Sequence, residues 1–305
     1  VTRRDPSTLR GSIVPLVTPF TADGSFDEAT YLELIEWQID SGSHGISTLG
    51  TTGEPTSMSL DEREHVTELA AHAIGGRVPF LPGTGTNNLD DTIRLTKTAE
   101  RLGADAALVL VPYHVRPSQE GLYRYFRSVA DAVELPIVIY NIPGRTAVNM
   151  EPSTMARLRR DAPNVVGAKE SNKDFEHVSR VLHACGRDFL VYSGIELLCY
   201  PVLAIGGAGH VSATANLLPR EIARLYDLVA AGRFADALDL HYHLLPLNDV
   251  LFVETNPGPL KYALGLTGKI TPVLRAPLCE PSPENQEKIR ATLALYDLLP
   301  AEVPA

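Results

Sequence analysis

Eight short apolar runs, each parted from the next by a longer amphipathic stretch, constrain the fold of this chain more than any other feature. They are SIVPLVTPF from Ser12, HGISTLG from His44, VPFLPGTG from Val78 and DAALVLVP from Asp105. PIVIYN from Pro136, NVVGAKES from Asn164, DFLVYSG from Asp188 and GAGHVSA from Gly207 follow. Their length and β-branched content suit strands buried on both faces, as in a parallel sheet. The intervening stretches read as helices, among them DEATYLELIEWQIDSG from Asp27, DEREHVTELAAHAI from Asp61, LDDTIRLTKTAERLG from Leu89 and SQEGLYRYFRSVADAV from Ser118. Several open on an acid or a serine, as helix starts do. A doubly wound open sheet is the main competitor, but eight alternations favour a (β/α)8 barrel ending near residue 230.

Beyond that point the texture changes. RFADALDLHYHLLPLNDVLF, NPGPLKYALGL and ENQEKIRATLALYDLL read as three helices with Pro and Gly between them. The expected organisation is therefore a barrel over residues 1–231 and a helical region over 232–305.

Composition narrows the function classes. The net charge of −10 opposes a nucleic-acid or anionic-membrane surface, both of which attract clustered Lys and Arg. No apolar run reaches membrane-spanning length, and VTRRDPSTLR is not followed by the apolar core of a signal peptide. Cys185, Cys199 and Cys279 lack CxxC spacing and read as reduced thiols of a cytoplasmic protein.

Barrel enzymes carry their chemistry at the C-terminal ends of the strands. Those ends read TLGTTGE, PGTG, VPYH, YNIPGR, AKES, YSGIE and HVSATAN, whereas the opposite ends are plain linkers such as GGRVP and RLGAD. Lys169, one of only six lysines against 21 arginines, ends VVGAK. A lysine there pairs with an acid such as Glu170, reaches water, or loses its proton and attacks a carbonyl as a Schiff-base nucleophile. Tyr140 ends the preceding strand. Neighbouring strands lie about 4.8 Å apart, which lets its phenol share a site with Lys169 and shuttle protons. A core aromatic is the plainer reading of Tyr140. GTTGE, residues 50–54, suits a backbone nest for a small carboxylate, or a tight turn capping the next helix. Arg145 offers a planar fork to a second carboxylate, or a structural ion pair.

Other chemistries find no support. GTTGE lacks the Gly-Lys-Ser/Thr of a nucleotide loop, and GTGTNN has Asn88 in place of a third glycine. No HExxH or GxSxG is present, and His241 and His243 diverge on a helix, so neither a metal nor another cofactor is expected.

GTTGE, YNIPGRT, GAKES, SGIE and GHVSATAN resemble, in order and spacing, the dihydrodipicolinate synthase / N-acetylneuraminate lyase family. The likeness runs over nearly the whole chain, through VPYHVRPSQEGL, FVETNPGPLKYALG and the helical tail. It implies a (β/α)8 barrel with a helical C-terminal region, usually a homotetramer built as a dimer of dimers. It also implies a class I carbon–carbon lyase or hydro-lyase acting on pyruvate and an aldehyde. By position, Lys169 would form the Schiff base, Tyr140 would transfer protons and Thr51 would join that relay. Thr51 and Thr52 would bind the pyruvate carboxylate, Arg145 the carboxylate of the aldehyde, and Gly194 and Val211 would line the pocket through their backbones.

The resemblance implies that Arg145 favours the synthase side over the neuraminate lyases, with aspartate semialdehyde as the aldehyde in the family's lysine-biosynthetic reaction, although Arg145 serves either semialdehyde. A catabolic pyruvate aldolase acting on another semialdehyde, such as succinate semialdehyde, is the alternative. A sugar-acid aldolase or dehydratase comes next, and a non-catalytic 2-oxo-acid sensor is a reading of another class. His114 departs from the pattern, because the family's synthases carry there a second tyrosine that reaches across the dimer interface into the relay. A histidine there can still exchange protons, or it only packs while the reaction has changed. Pro55, Thr56, Leu60, Arg63 and Asp91 also depart from what lysine-inhibited relatives show, so lysine feedback is not expected.

Overall fold

Helix starts in the computed structural model, which describes residues 4–300, fall where the sequence offers a cap. Asp27 accepts from the amide of Thr30 at the start of Glu28–Asp40. Ser59 and Glu62 close a reciprocal capping box on Leu60–Ile74. Asn88 caps Leu89–Arg101, Ser118 caps Gln119–Ala132 and Asp174 caps Phe175–Cys185. Each satisfies amides that the first helical turn leaves without partners.

Seven parallel strands form one sheet among the described residues. They are β1 (Gly11–Pro15), β2 (Gly45–Ser47), β3 (Ala107–Leu110), β4 (Ile137–Asn141), β5 (Val165–Glu170), β6 (Leu190–Ser193) and β7 (Gly209–Val211), in the order β2-β1-β7-β6-β5-β4-β3. The eighth expected run, VPFLPGTG, is not a regular strand, which corrects the sequence reading. It nevertheless spans the gap between the sheet's two ends, bridging Phe80 to Ile46 and Gly83 to Leu108. Pro79 and Pro82 have no amide to donate, so the ladder there is interrupted. What remains runs through the amides of Leu81 to Ile46 of β2, of Gly83 to Thr48 just after it, and of Thr84 to Leu108. With this segment in place the sheet closes into a (β/α)8 barrel.

Alternation along the strands divides the core in two. Ile13, Leu81, Leu108, Val138, Tyr140, Leu190, Tyr192 and Val211 fill the barrel interior. Val14, Ile46, Val109, Ile139, Ala168 and Val191 face the surrounding helices. The sequence signature GHVSATAN ends on Asn216, which locks the top of the barrel. Its side chain accepts from the amide of Val17 and donates to the carbonyl of Pro15.

The helix after β7, Pro219–Ala230, is followed by the three helices expected at the C-terminal end: Phe234–Val250, Gly258–Leu266 and Pro283–Ala294. Phe234–Val250 packs on Pro219–Ala230, while Gly258–Leu266 packs on the turn Ala213–Asn216 at the barrel mouth. Residues 1–3 and 301–305, the outer ends of the two expected regions, lie outside the described residues. No helix among the described residues is long and apolar enough to cross a membrane.

Candidate active site

Tyr140 and Lys169 are register partners across β4 and β5, so both side chains enter the barrel at one level. The Lys169 amine sits 4.1 Å from the centroid of the Tyr140 ring. The residue is only 5% exposed, and its amine makes no hydrogen bond or ion pair among the described residues. A buried amine over an aromatic face, bonded to no other group, is the candidate nucleophile of the site.

Glu170, the neighbouring acid considered as its partner, does not pair with it. Strand alternation sends the Glu170 carboxylate to the outer face, where Asn141 donates to it at 3.0 Å and the His177 ring nitrogen lies 3.4 Å away. Burial raises its pKa, against the pull of His177 and Asn141.

The GTTGE segment forms a short 3-10 turn, Thr51–Gly53, that ends on Glu54 in the left-handed region at φ 56°. The turn brings the Thr51 hydroxyl to 3.1 Å from the Tyr140 phenol. Thr52 is buried beside it, and its hydroxyl accepts from the side-chain amide of Asn256 at 3.0 Å. Thr51, Thr52, Tyr140, Arg145, Lys169, Gly194 and Val211 all line one cavity of about 390 Å³. A side chain at Gly194 would displace the lysine, since a Cβ there would lie 2.7 Å from the Cε of Lys169. Arg145 stands on the short helix Pro143–Thr146 at the mouth and donates to the carbonyl of Asn256 at 3.0 Å.

His114 is the one candidate that the structure leaves apart. It lies on the exposed loop after β3 at φ 72°, and lines neither this cavity nor the adjoining one that Tyr113 borders.

Three features of the site went unread in the sequence. Asn256 touches both anion receptors, Thr52 through its side chain and Arg145 through its carbonyl. Glu196, in SGIE, lines the cavity and accepts from the amide of Ala213 at 2.7 Å. Burial pushes its pKa up to about 7, against the bond from the Ala213 amide. Lys261 forms a fully buried ion pair with Glu54 at 2.6 Å, fixing the end of the GTTGE turn. A lysine inside the apolar helix GPLKYALGL was the available signal, because a cation there needs a buried acid. No group of three or more potential metal ligands occurs among the described residues.

A closed parallel barrel with a buried, unpaired lysine at the mouth, flanked by a phenol–hydroxyl pair, defines a class I Schiff-base lyase. The chain belongs to the dihydrodipicolinate synthetase family, whose model matches residues 8–295. It is 47% identical over 298 residues to the 4-hydroxy-tetrahydrodipicolinate synthase of Thermus thermophilus, covering 97% of this chain and 99% of that one. The enzyme of the same name from Thermodesulfovibrio yellowstonii is 45% identical, with 95% and 99% covered. Among solved structures, dihydrodipicolinate synthase from Aquifex aeolicus superposes with a TM-score of 0.93 at 41% identity, over 95% of this chain and 99% of that one.

Proposed function

We propose that this chain condenses pyruvate with aspartate semialdehyde, the reaction of the 4-hydroxy-tetrahydrodipicolinate synthases. The observation that carries the reading is the buried, unpaired Lys169 amine set against Tyr140, whose phenol meets the Thr51 hydroxyl. In this reading the Lys169 nitrogen attacks C2 of pyruvate, and the carbinolamine loses water to give an iminium. Loss of a methyl proton then yields an enamine, whose carbon attacks the aldehyde. Tyr140 and Thr51 carry protons to and from these intermediates. The Thr51–Thr52 turn holds the pyruvate carboxylate, Arg145 holds that of the aldehyde, and Gly194 and Val211 wall the pocket.

Incubation with pyruvate and borohydride, followed by peptide mass spectrometry, tests this directly. A reduced pyruvoyl adduct on Lys169 is expected, and its absence would rule the reading out. Condensation with succinate semialdehyde is the second reading, favoured by His114 standing where the resemblance implies a tyrosine. Comparing the rate of pyruvate consumption with the two aldehydes separates them.

The proposal extends to the setting. The division at residues 231 and 232 separates the barrel carrying the lysine from a helical region that supplies Asn256 and Lys261. Assembly as a homotetramer, a dimer of dimers, is supported by exposed apolar side chains at Val115, Phe234, Leu238 and Tyr242. A cytoplasmic location accords with three free thiols.

A further inference from the structure

We infer that Lys173 is a second cationic contact for the aldehyde's carboxylate, acting beside Arg145 to select acidic aldehydes. The inference rests on the lyase reading above and adds a specificity residue to it. Lys173 lines the same cavity as Lys169 and Arg145, on the turn that leads from β5 into Phe175–Cys185.

That turn is firmly built. The Asn172 side chain donates to the Oδ1 of Asn149 at 3.2 Å and accepts from the amide of Asp174 at 3.0 Å. The nearest acid, Asp174, is engaged as a helix cap, accepting from the amides of Glu176 and His177. Lys173 itself is exposed, and its ammonium has no hydrogen-bond or ion-pair partner among the described residues. Arg145 is likewise exposed and engages one carbonyl with one nitrogen, which leaves the rest of its fork free.

The charges around the cavity are thus one-sided. Lys173 and Arg145 at the mouth are basic, while the single acid in its lining, Glu196, is buried and held on the Ala213 amide. Two uncompensated cations at the mouth repel each other until an anion arrives, and they draw anions in from solution. Pyruvate's own carboxylate is assigned to the threonine turn deeper in the cavity. The group left for the mouth is the carboxylate of the second substrate, so the bound adduct is a dianion held at both ends.

The test is a kinetic comparison of Lys173→Ala, Lys173→Glu and Lys173→Arg on the full-length protein, with borohydride trapping of pyruvate run on each. Lys173→Ala should raise KM for the carboxylated aldehyde about fivefold to tenfold, the scale of a partly exposed charge-assisted contact. Lys173→Glu should raise it further, and Lys173→Arg should restore most of the loss. KM for pyruvate and the yield of trapped adduct should stay unchanged. Added salt should weaken aldehyde binding less in Lys173→Ala than in the unsubstituted protein. An unmoved KM, or an equal rise for an uncharged aldehyde, overturns the role of Lys173 alone. If the unsubstituted protein forms no pyruvoyl adduct, the lyase reading falls and this inference falls with it.

Discussion

The hydroxyl of Thr51 lies 3.1 Å from the phenol of Tyr140, and that ring in turn lies 4.1 Å from the Lys169 amine. The three groups come from a turn after β2 and from the ends of β4 and β5. Tyr140 therefore meets the Thr51 hydroxyl through its oxygen and the Lys169 amine through its ring face. Tyr140→Phe keeps the ring and removes the relay. Steady-state kinetics should show kcat lower by about 100-fold to 10,000-fold, the range of a lost general acid–base group. Thr51→Val should shift kcat in the same direction. A Tyr140→Phe variant with undiminished kcat would remove the phenol from the mechanism.

Gly194 allows the lysine to lie where it does. A Cβ at this position would stand 2.7 Å from the Cε of Lys169 and 2.1 Å from the Oγ of Ser171. Gly194→Ala should fold with stability lowered by about 1–3 kcal/mol, the cost of overpacking, while slowing borohydride-trapped adduct formation by about 100-fold, as for a reacting group misplaced by about 1 Å. Normal trapping by a folded variant would show that Lys169 has room to spare.

Glu196 links the site to pH. Its pKa is raised from 4.5 to about 7 by burial, so folding keeps it protonated where the unfolded chain would have released the proton. Its stabilising effect is full below pH 4.5 and is lost as pH rises through 7, by about 3 kcal/mol for a shift of that size. Glu196→Gln should therefore gain stability relative to the unsubstituted protein as pH rises from 5 to 8, measured by urea denaturation. Parallel pH profiles for the two proteins would contradict the assignment.

Lys261 and Glu54 are each fully buried and bonded to one another at 2.6 Å. Burial lowers the pKa of Lys261, and the facing carboxylate opposes that shift. Lys261→Met leaves a carboxylate without its partner and should cost about 3–5 kcal/mol in denaturant titrations. Adding Glu54→Gln should recover part of that loss, because it removes the stranded charge. A single substitution losing less than about 1 kcal/mol would mean that the pair contributes little.

Much of this was legible because strand ends in a barrel converge. Once β4 and β5 were placed, Tyr140 and Lys169 had to meet, and the GTTGE turn had to lie nearby. The closing segment was read as an ordinary strand because its apolar content outweighed Pro79 and Pro82, whose missing amides break the ladder. Asn256 and Lys261 were not legible as site residues. They meet Thr52 and Glu54 across 204 and 207 positions of sequence, a distance that no local pattern encodes. The direction of Glu170 follows from alternation alone, whereas its partner His177 emerges only when the following helix packs back on the strand. His114 sits on an exposed loop away from the cavity, so its departure from the family's pattern touches none of the site's packing.

The bonds from Asn256 and Lys261 back to the GTTGE turn also have a bearing on biosynthesis. A ribosome delivers Thr52 and Glu54 roughly two-thirds of a chain before the residues that satisfy them. Until then Glu54 has no cation to meet and the Thr52 hydroxyl has no amide to orient it. The growing polypeptide can assemble strands as they emerge, yet the GTTGE turn gains these partners only once the helical region has been added. The turn is consequently finished by the helical region and not by the barrel that contains it.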